Sequence, residues 1–144
     1  MNIYIASSWK NQHAVEMLTA ELRRLGYTVK SFVENNYGEG QCGFTDKPDR
    51  LPFEEWVWSG KGHDAFAFDT DGAMKSDLVI YVGPSGTDAW AEVGAAFGCG
   101  VTIIGLWAKG EPAGLMRRMV AEWYHSYTAL LDAIEAWAPS QTTP

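Results

Sequence analysis

Glu92 is the residue in this chain best placed to do chemistry. It interrupts an apolar pattern made by Ala89, Val93, Ala95, Ala96 and Phe97, in the early turns of a helix that begins at about Thr87. That helix follows the apolar strand pattern Leu78–Val82 across the tight loop Gly83-Pro84-Ser85-Gly86. Its N-terminal end therefore faces the crevice at the strand's carboxyl edge, where α/β proteins hold ligands. The helix dipole favours a carboxylate there, which predicts an ionised Glu92 acting as a nucleophile or charge stabiliser. An upstream Asp69 supplies a second carboxyl group, and two such groups suit glycosyl transfer. One attacks or shields the anomeric carbon and the other handles the proton of the leaving group. Ser7 and Ser8, in the loop after the first strand, would face the same crevice. The plain alternatives are a salt-bridged structural glutamate and a helix cap made by the serines.

Positioning these groups takes a layered frame. Residues 2–6 read as a short apolar strand, and Val15, Leu18, Leu22 and Leu25 form one helical stripe that stops at Gly26. Residues 28–33 alternate as a second strand, completing a strand–helix–strand unit with short connections. From 35 to 52 the periodicity is lost in a glycine-rich stretch too long for a simple connector, which reads as a lid or binding loop, with disorder as the competing reading. Residues 52–59 predict a short amphipathic helix whose Phe53, Trp56 and Val57 cover the sheet. A helix over 62–76 carries Asp69 and Asp71. Its Asp-x-Asp-Gly resembles the start of a calcium loop but lacks the later ligands, so no metal is expected. After a strand at 101–104, residues 112–120 read as a helix with Leu115, Met116 and Met119 inward, and 122–124 as a fifth strand. Ser126 then caps a last helix over 128–137, with Leu130, Leu131, Ile134 and Trp137 on one side. The expected fold class is α/β: one domain over 1–137, with a flavodoxin-like or Rossmann-type parallel five-stranded sheet and helices on both faces. A polar tail, 138–144, is expected to be disordered.

Composition narrows the function classes. Hydrophobic residues make up 47% and charged residues 20% of the 144, a globular balance with no apolar run long enough to span a bilayer. The first residues enter a strand pattern without a basic leader, so a cytoplasmic protein is expected. A net charge of −7 argues against a nucleic-acid polymer as partner. A single nucleotide remains compatible, because amides at a helix start can hold one phosphate. Cys42 and Cys99 have neither metal-ligand nor disulfide-framework spacing. No glycine fingerprint for a dinucleotide or a nucleoside triphosphate occurs, and no cofactor is expected.

The run Ile3-Tyr4-Ile5-Ala6-Ser7, Asp69 shortly before Ser76-Asp77-Leu78-Val79, and Pro84-Ser85-Gly86-Thr87-Asp88-Ala89-Trp90-Ala91-Glu92-Val93-Gly94 together resemble the nucleoside 2-deoxyribosyltransferase superfamily, which includes 2′-deoxynucleoside 5′-phosphate N-hydrolases and pyrimidine-nucleotide N-glycosidases. The resemblance covers most of residues 2 to 106, and Glu-x-Gly on the helix is its most specific part. It implies Glu92 as the nucleophile at C1′, Asp69 as the proton-handling carboxyl, and Tyr4 as the residue that positions the glutamate. It further implies that Ser7 and Ser8 hold the sugar or its phosphate, and that Ser85, Gly86, Thr87 and Asp88 form the substrate-binding loop and helix start. A small-molecule nucleoside or nucleotide partner and a homodimer or higher oligomer follow from it. The chain departs from the pattern at Asp88 and Trp90, where family members often carry glycine, and in the long 35–52 stretch. The tryptophan close before Glu92 also resembles TIR-like domains that cleave nicotinamide from NAD. A non-catalytic nucleotide-binding module is the remaining alternative.

Overall fold

A computed structural model describes residues 1–35 and 53–142. The chain begins with β1 (Asn2–Ala6), a 3-10 turn at Trp9–Asn11, α1 (Gln12–Arg24), β2 (Thr28–Ser31) and the single-turn α2 (Phe32–Asn35). It continues through α3 (Phe53–Val57), α4 (Gly60–Lys75), β3 (Leu78–Val82), α5 (Thr87–Gly98) and β4 (Thr102–Leu106). A 3-10 turn at Leu115–Met119, β5 (Glu122–Tyr124) and α6 (Tyr127–Thr142) complete it. The five strands are all parallel, in the order β2-β1-β3-β4-β5. The order reverses between β1 and β3, and the carboxyl ends of these two strands open into the switch-point crevice of a doubly wound sheet.

Strand residues alternate between two cores, as the period of two requires. Ile3, Ile5, Leu78, Ile80 and Val82 pack with Val15, Leu18 and Leu22 of α1 and with Leu130 and Ile134 of α6. On the opposite face Tyr4, Ala6, Val79 and Tyr81 pack with Ala73 of α4 and with Ala89, Val93 and Ala96 of α5. The second face is the one that carries the candidate chemistry. Among the described residues no helix is long and apolar enough to cross a membrane.

Several sequence expectations shift. The second strand ends at Ser31 rather than 33, because Phe32 and Val33 turn into α2 and are buried there. The helix starting at Phe53 packs on α4, leaving Val57 and Trp58 exposed and Trp56 half-buried. Residues 112–120 form only the 3-10 turn at Leu115–Met119, with Leu115 and Met116 exposed and Met119 turned toward α5. The last helix does not end at Trp137 but runs on to Thr142. Ser126 caps it as expected, its hydroxyl accepting from Ala129 N–H at 3.1 Å. The stretch 36–52, with Tyr37, Cys42 and Phe44, lies outside the described residues.

Candidate active site

Three elements bring Tyr4, Asp69 and Glu92 together. Tyr4 is on β1, beside Val79 of β3, and is fully buried. Asp69 lies in the middle of α4, and Glu92 in the second turn of α5, which packs against α4. The close approach of α4 depends on Gly72, one turn beyond Asp69. A Cβ there would lie 2.6 Å from Tyr4 Cδ2 and 2.8 Å from Cε2, so only glycine lets the helix backbone rest on the ring. Gly72→Ala is expected to force ring and helix apart and to cost about 1–3 kcal/mol. Urea unfolding checks this, and an unchanged midpoint would contradict it.

The hydroxyl of Tyr4 faces both carboxyls closely enough to favour their ionised forms. Even so, Tyr4 Oη, Asp69 Oδ1 and Glu92 Oε2 are buried without an aligned hydrogen bond. Burial first, and then the nearby Asp88, pushes the Asp69 carboxyl up to about 7. Burial first, and then Asp69, pushes Glu92 up to about 9, with Asp88 adding a smaller push. Tyr4 is raised well above the usual phenol value by burial and by the two carboxyls. The expectation of a dipole-ionised Glu92 is therefore reversed in the unliganded protein. The dipole's effect is small beside the loss of solvation of a buried carboxylate next to a second acid. Together the two carboxyls hold two protons below about pH 7 and one from there to about pH 9.

The loops at the strand ends complete the crevice. Among the described residues, six side-chain polar atoms are buried without a partner. Five of them belong to Tyr4, Asp69, Glu92, Ser8 and Ser85, which are the acid–tyrosine cluster and the loops after β1 and β3. Such atoms are costly to leave unmade, and a polar ligand entering the crevice would satisfy them. Ser7 differs from Ser8: its hydroxyl donates to the Val82 carbonyl at 2.7 Å, joining the two loops. Gly86 is the N-cap of α5 with no side-chain cap bond, and Thr87 and Asp88 are exposed on its first turn. Asp71 turns outward and pairs with Lys75 at 3.6 Å, so it does not converge with Asp69.

Comparison with solved structures bears on the fold. A 2-deoxyribosyltransferase from Bacillus psychrosaccharolyticus superposes with a TM-score of 0.66 at 21% identity, over 90% of each chain. The chain has the 2-deoxyribosyltransferase fold. A conserved protein from Enterococcus faecalis V583 gives a TM-score of 0.66 at 16% identity, covering 94% of this chain and 98% of the other. A CMP N-glycosidase from Clostridium botulinum gives 0.57 at 17% identity, over 94% and 99% of the two chains. No protein-family model and no curated protein matches the sequence.

Within the 2-deoxyribosyltransferase fold, Asn11 is a residue that the sequence reading missed. It occupies the N-cap position of α1 but makes no cap bond. Its amide nitrogen donates instead to the Pro84 carbonyl at 2.7 Å and to Ser7 Oγ at 3.0 Å, clamping the β1 loop to the β3 loop across the switch point. Gly72 was missed as well, since nothing in a helical pattern marks which glycine meets a ring.

Proposed function

We propose that the protein cleaves or transfers at the N-glycosidic bond of a (deoxy)nucleoside or nucleoside monophosphate, with Glu92 attacking C1′. The observation that carries this reading is the buried cluster of Tyr4, Asp69 and Glu92, whose inward oxygens lack partners in the switch-point crevice. The fold adds support, since its solved neighbours include a 2-deoxyribosyltransferase and a CMP N-glycosidase.

In this reading, ionised Glu92 forms an ester bond to C1′ as the C1′–N bond breaks. The base leaves with the bonding electron pair and takes a proton from Asp69. Water or a nitrogen of a second base then attacks C1′, the ester breaks to restore the Glu92 carboxylate, and the attacking group's proton returns to Asp69. Tyr4 steadies the ionised carboxyl at each stage, and Ser8, Ser85, Gly86, Thr87 and Asp88 line the sugar end. Ser7 acts through its bond to Val82 by holding the loops together. Closure of the site by a second copy of the chain belongs to the same proposal.

Chromatography of free base tests the reading. The purified protein is incubated with ribo- and deoxyribonucleosides, their monophosphates and NAD. Base release from a nucleoside or monophosphate is expected, with kcat/KM rising through about pH 7 and falling above about pH 9, because the pair must hold one proton. Release of nicotinamide alone would replace this function with NAD cleavage, and binding without release would leave a binding module.

A further inference from the structure

On the other side of α5 from Glu92 a closed ring of four side chains fastens the helix. The indole Nε1–H of Trp90 donates to Tyr81 Oη at 3.0 Å, and the Tyr81 hydroxyl donates in turn to Glu111 Oε1. Arg117 donates to the other Glu111 oxygen from Nη2 at 2.8 Å and from Nε at 3.2 Å. Its guanidinium then stands over the Trp90 ring, 4.3 Å from the centroid, which closes the circuit. The Glu111 side chain is only 2% exposed. The ring joins β3, α5 and the connection between β4 and β5. It also presses on the crevice loop, since a Cβ at Gly83 would lie 2.5 Å from Glu111 Oε1.

A buried ion pair is weak evidence for stability, because the cost of desolvating both charges roughly matches their attraction. A better attested use is to select one arrangement among several close-packed ones. Here the arrangement selected is the rotation of α5. Trp90 and Glu92 are two residues apart and so about 200° apart around the helix axis. Pinning the indole on one side therefore fixes where the carboxyl points on the other, toward Tyr4 and Asp69.

We propose that the Arg117–Glu111–Tyr81–Trp90 ring is a positioning device that sets the rotation of α5 and thereby holds Glu92 against Asp69 and Tyr4. Its consequence for rate rests on the reading of Glu92 as the attacking group, whereas its consequence for the environment of Glu92 does not. The groups that face Glu92 are Asp69 from α4, Tyr4 from β1 and Asp88 on its own helix. Of the other elements packed against α5, β3 brings Tyr81, β4 carries no titratable side chain, and the 115–119 turn brings Arg117 over Trp90 and an exposed Arg118.

The test follows the Glu92 carboxyl by carbon-13 NMR through a pH titration, its signal assigned by loss in Glu92→Gln. Tyr81→Phe removes the hydroxyl shared by Trp90 and Glu111. Trp90→Phe removes only the indole donor and leaves the ion pair whole, so it serves if Tyr81→Phe does not fold. In either variant the Glu92 midpoint is expected to move at least one pH unit toward the ordinary carboxyl value. With a nucleoside that the wild type cleaves, kcat is expected to fall roughly 10- to 100-fold while KM stays within about twofold. An unchanged midpoint, with only a lower melting temperature, would make the ring a fastener of the fold and overturn the proposal. Should the wild type release no base, the glycosidic reading fails, and the titration still decides whether the ring positions Glu92.

Discussion

Glu92→Gln is expected to lose at least ~10³-fold in base release while the domain stays folded. The two halves of this expectation have separate physical grounds. Gln has the shape of Glu but cannot form the ester to C1′, so the pathway through a glycosyl-enzyme bond is closed. What remains is orientation and polarity in the crevice, which gives only a residue of the rate. The fold survives because, among the described residues, Glu92 makes no ion pair that the change would break. Its Oε2 is unpartnered, and burial already favours the neutral acid at pH 7. Asp69→Asn should cost about 10²- to 10⁴-fold, as expected for removal of a proton donor whose role water partly fills. The assay is single-turnover release of base, with circular dichroism to confirm folding. Near-native release by Glu92→Gln would remove Glu92 from the chemistry. Equal nucleoside affinity in both proteins with no turnover in either would mean a binding module.

The site was legible in the sequence to the extent that it breaks apolar patterns. A glutamate among alanines and valines after Leu78–Val82, and short strand–helix–strand spacing at the start, were enough to anticipate both the crevice and the parallel sheet. What remained hidden depends on three-dimensional contact. Asn11 holds the N-cap position of α1 without a cap bond, and its amide nitrogen donates to the Pro84 carbonyl, a partner that only the fold brings near. Glu111 and Arg117 have no local partner that would mark them in the sequence, and only the fold brings them to Tyr81 and Trp90. Leu115 and Met116 satisfy a helical stripe, but one 3-10 turn cannot present all of it inward, and both are exposed. The protonation of Glu92 went the opposite way for a related reason. The dipole is a local property that sequence reveals, whereas burial beside Asp69 is a tertiary one, and burial is the larger effect.

That burial makes the domain's stability depend on pH in an unusual sense. In the unfolded chain Glu92 releases its proton near 4.5, while in the folded domain it keeps it to about 9. Between these values the native state binds more protons than the unfolded state, so the free energy of unfolding falls as pH rises. The contribution is fully present below about 4.5, shrinks by up to about 1.4 kcal/mol for each pH unit, and is gone above about 9. Asp69 adds the same sense of change between 3.8 and about 7. From these two groups the unliganded protein is expected to be markedly less stable at pH 8 than at pH 5, although carboxylates stabilised by partners give the reverse slope. Gln at position 92 does not titrate. Glu92→Gln should therefore flatten the profile above pH 7, where Asp69 has already released its proton, and should be more stable than wild type at pH 8–9. Urea unfolding midpoints of both proteins at pH 5, 7 and 9 measure this. Parallel profiles would mean that Glu92 is ionised in the unliganded crevice, and the protein would then hold its nucleophile ready before any substrate arrives. A flattened profile means instead that Glu92 holds its proton, so that the proposed attack on C1′ requires this proton to leave, and Asp69, with Tyr4 facing both carboxyls, is the group proposed to take it.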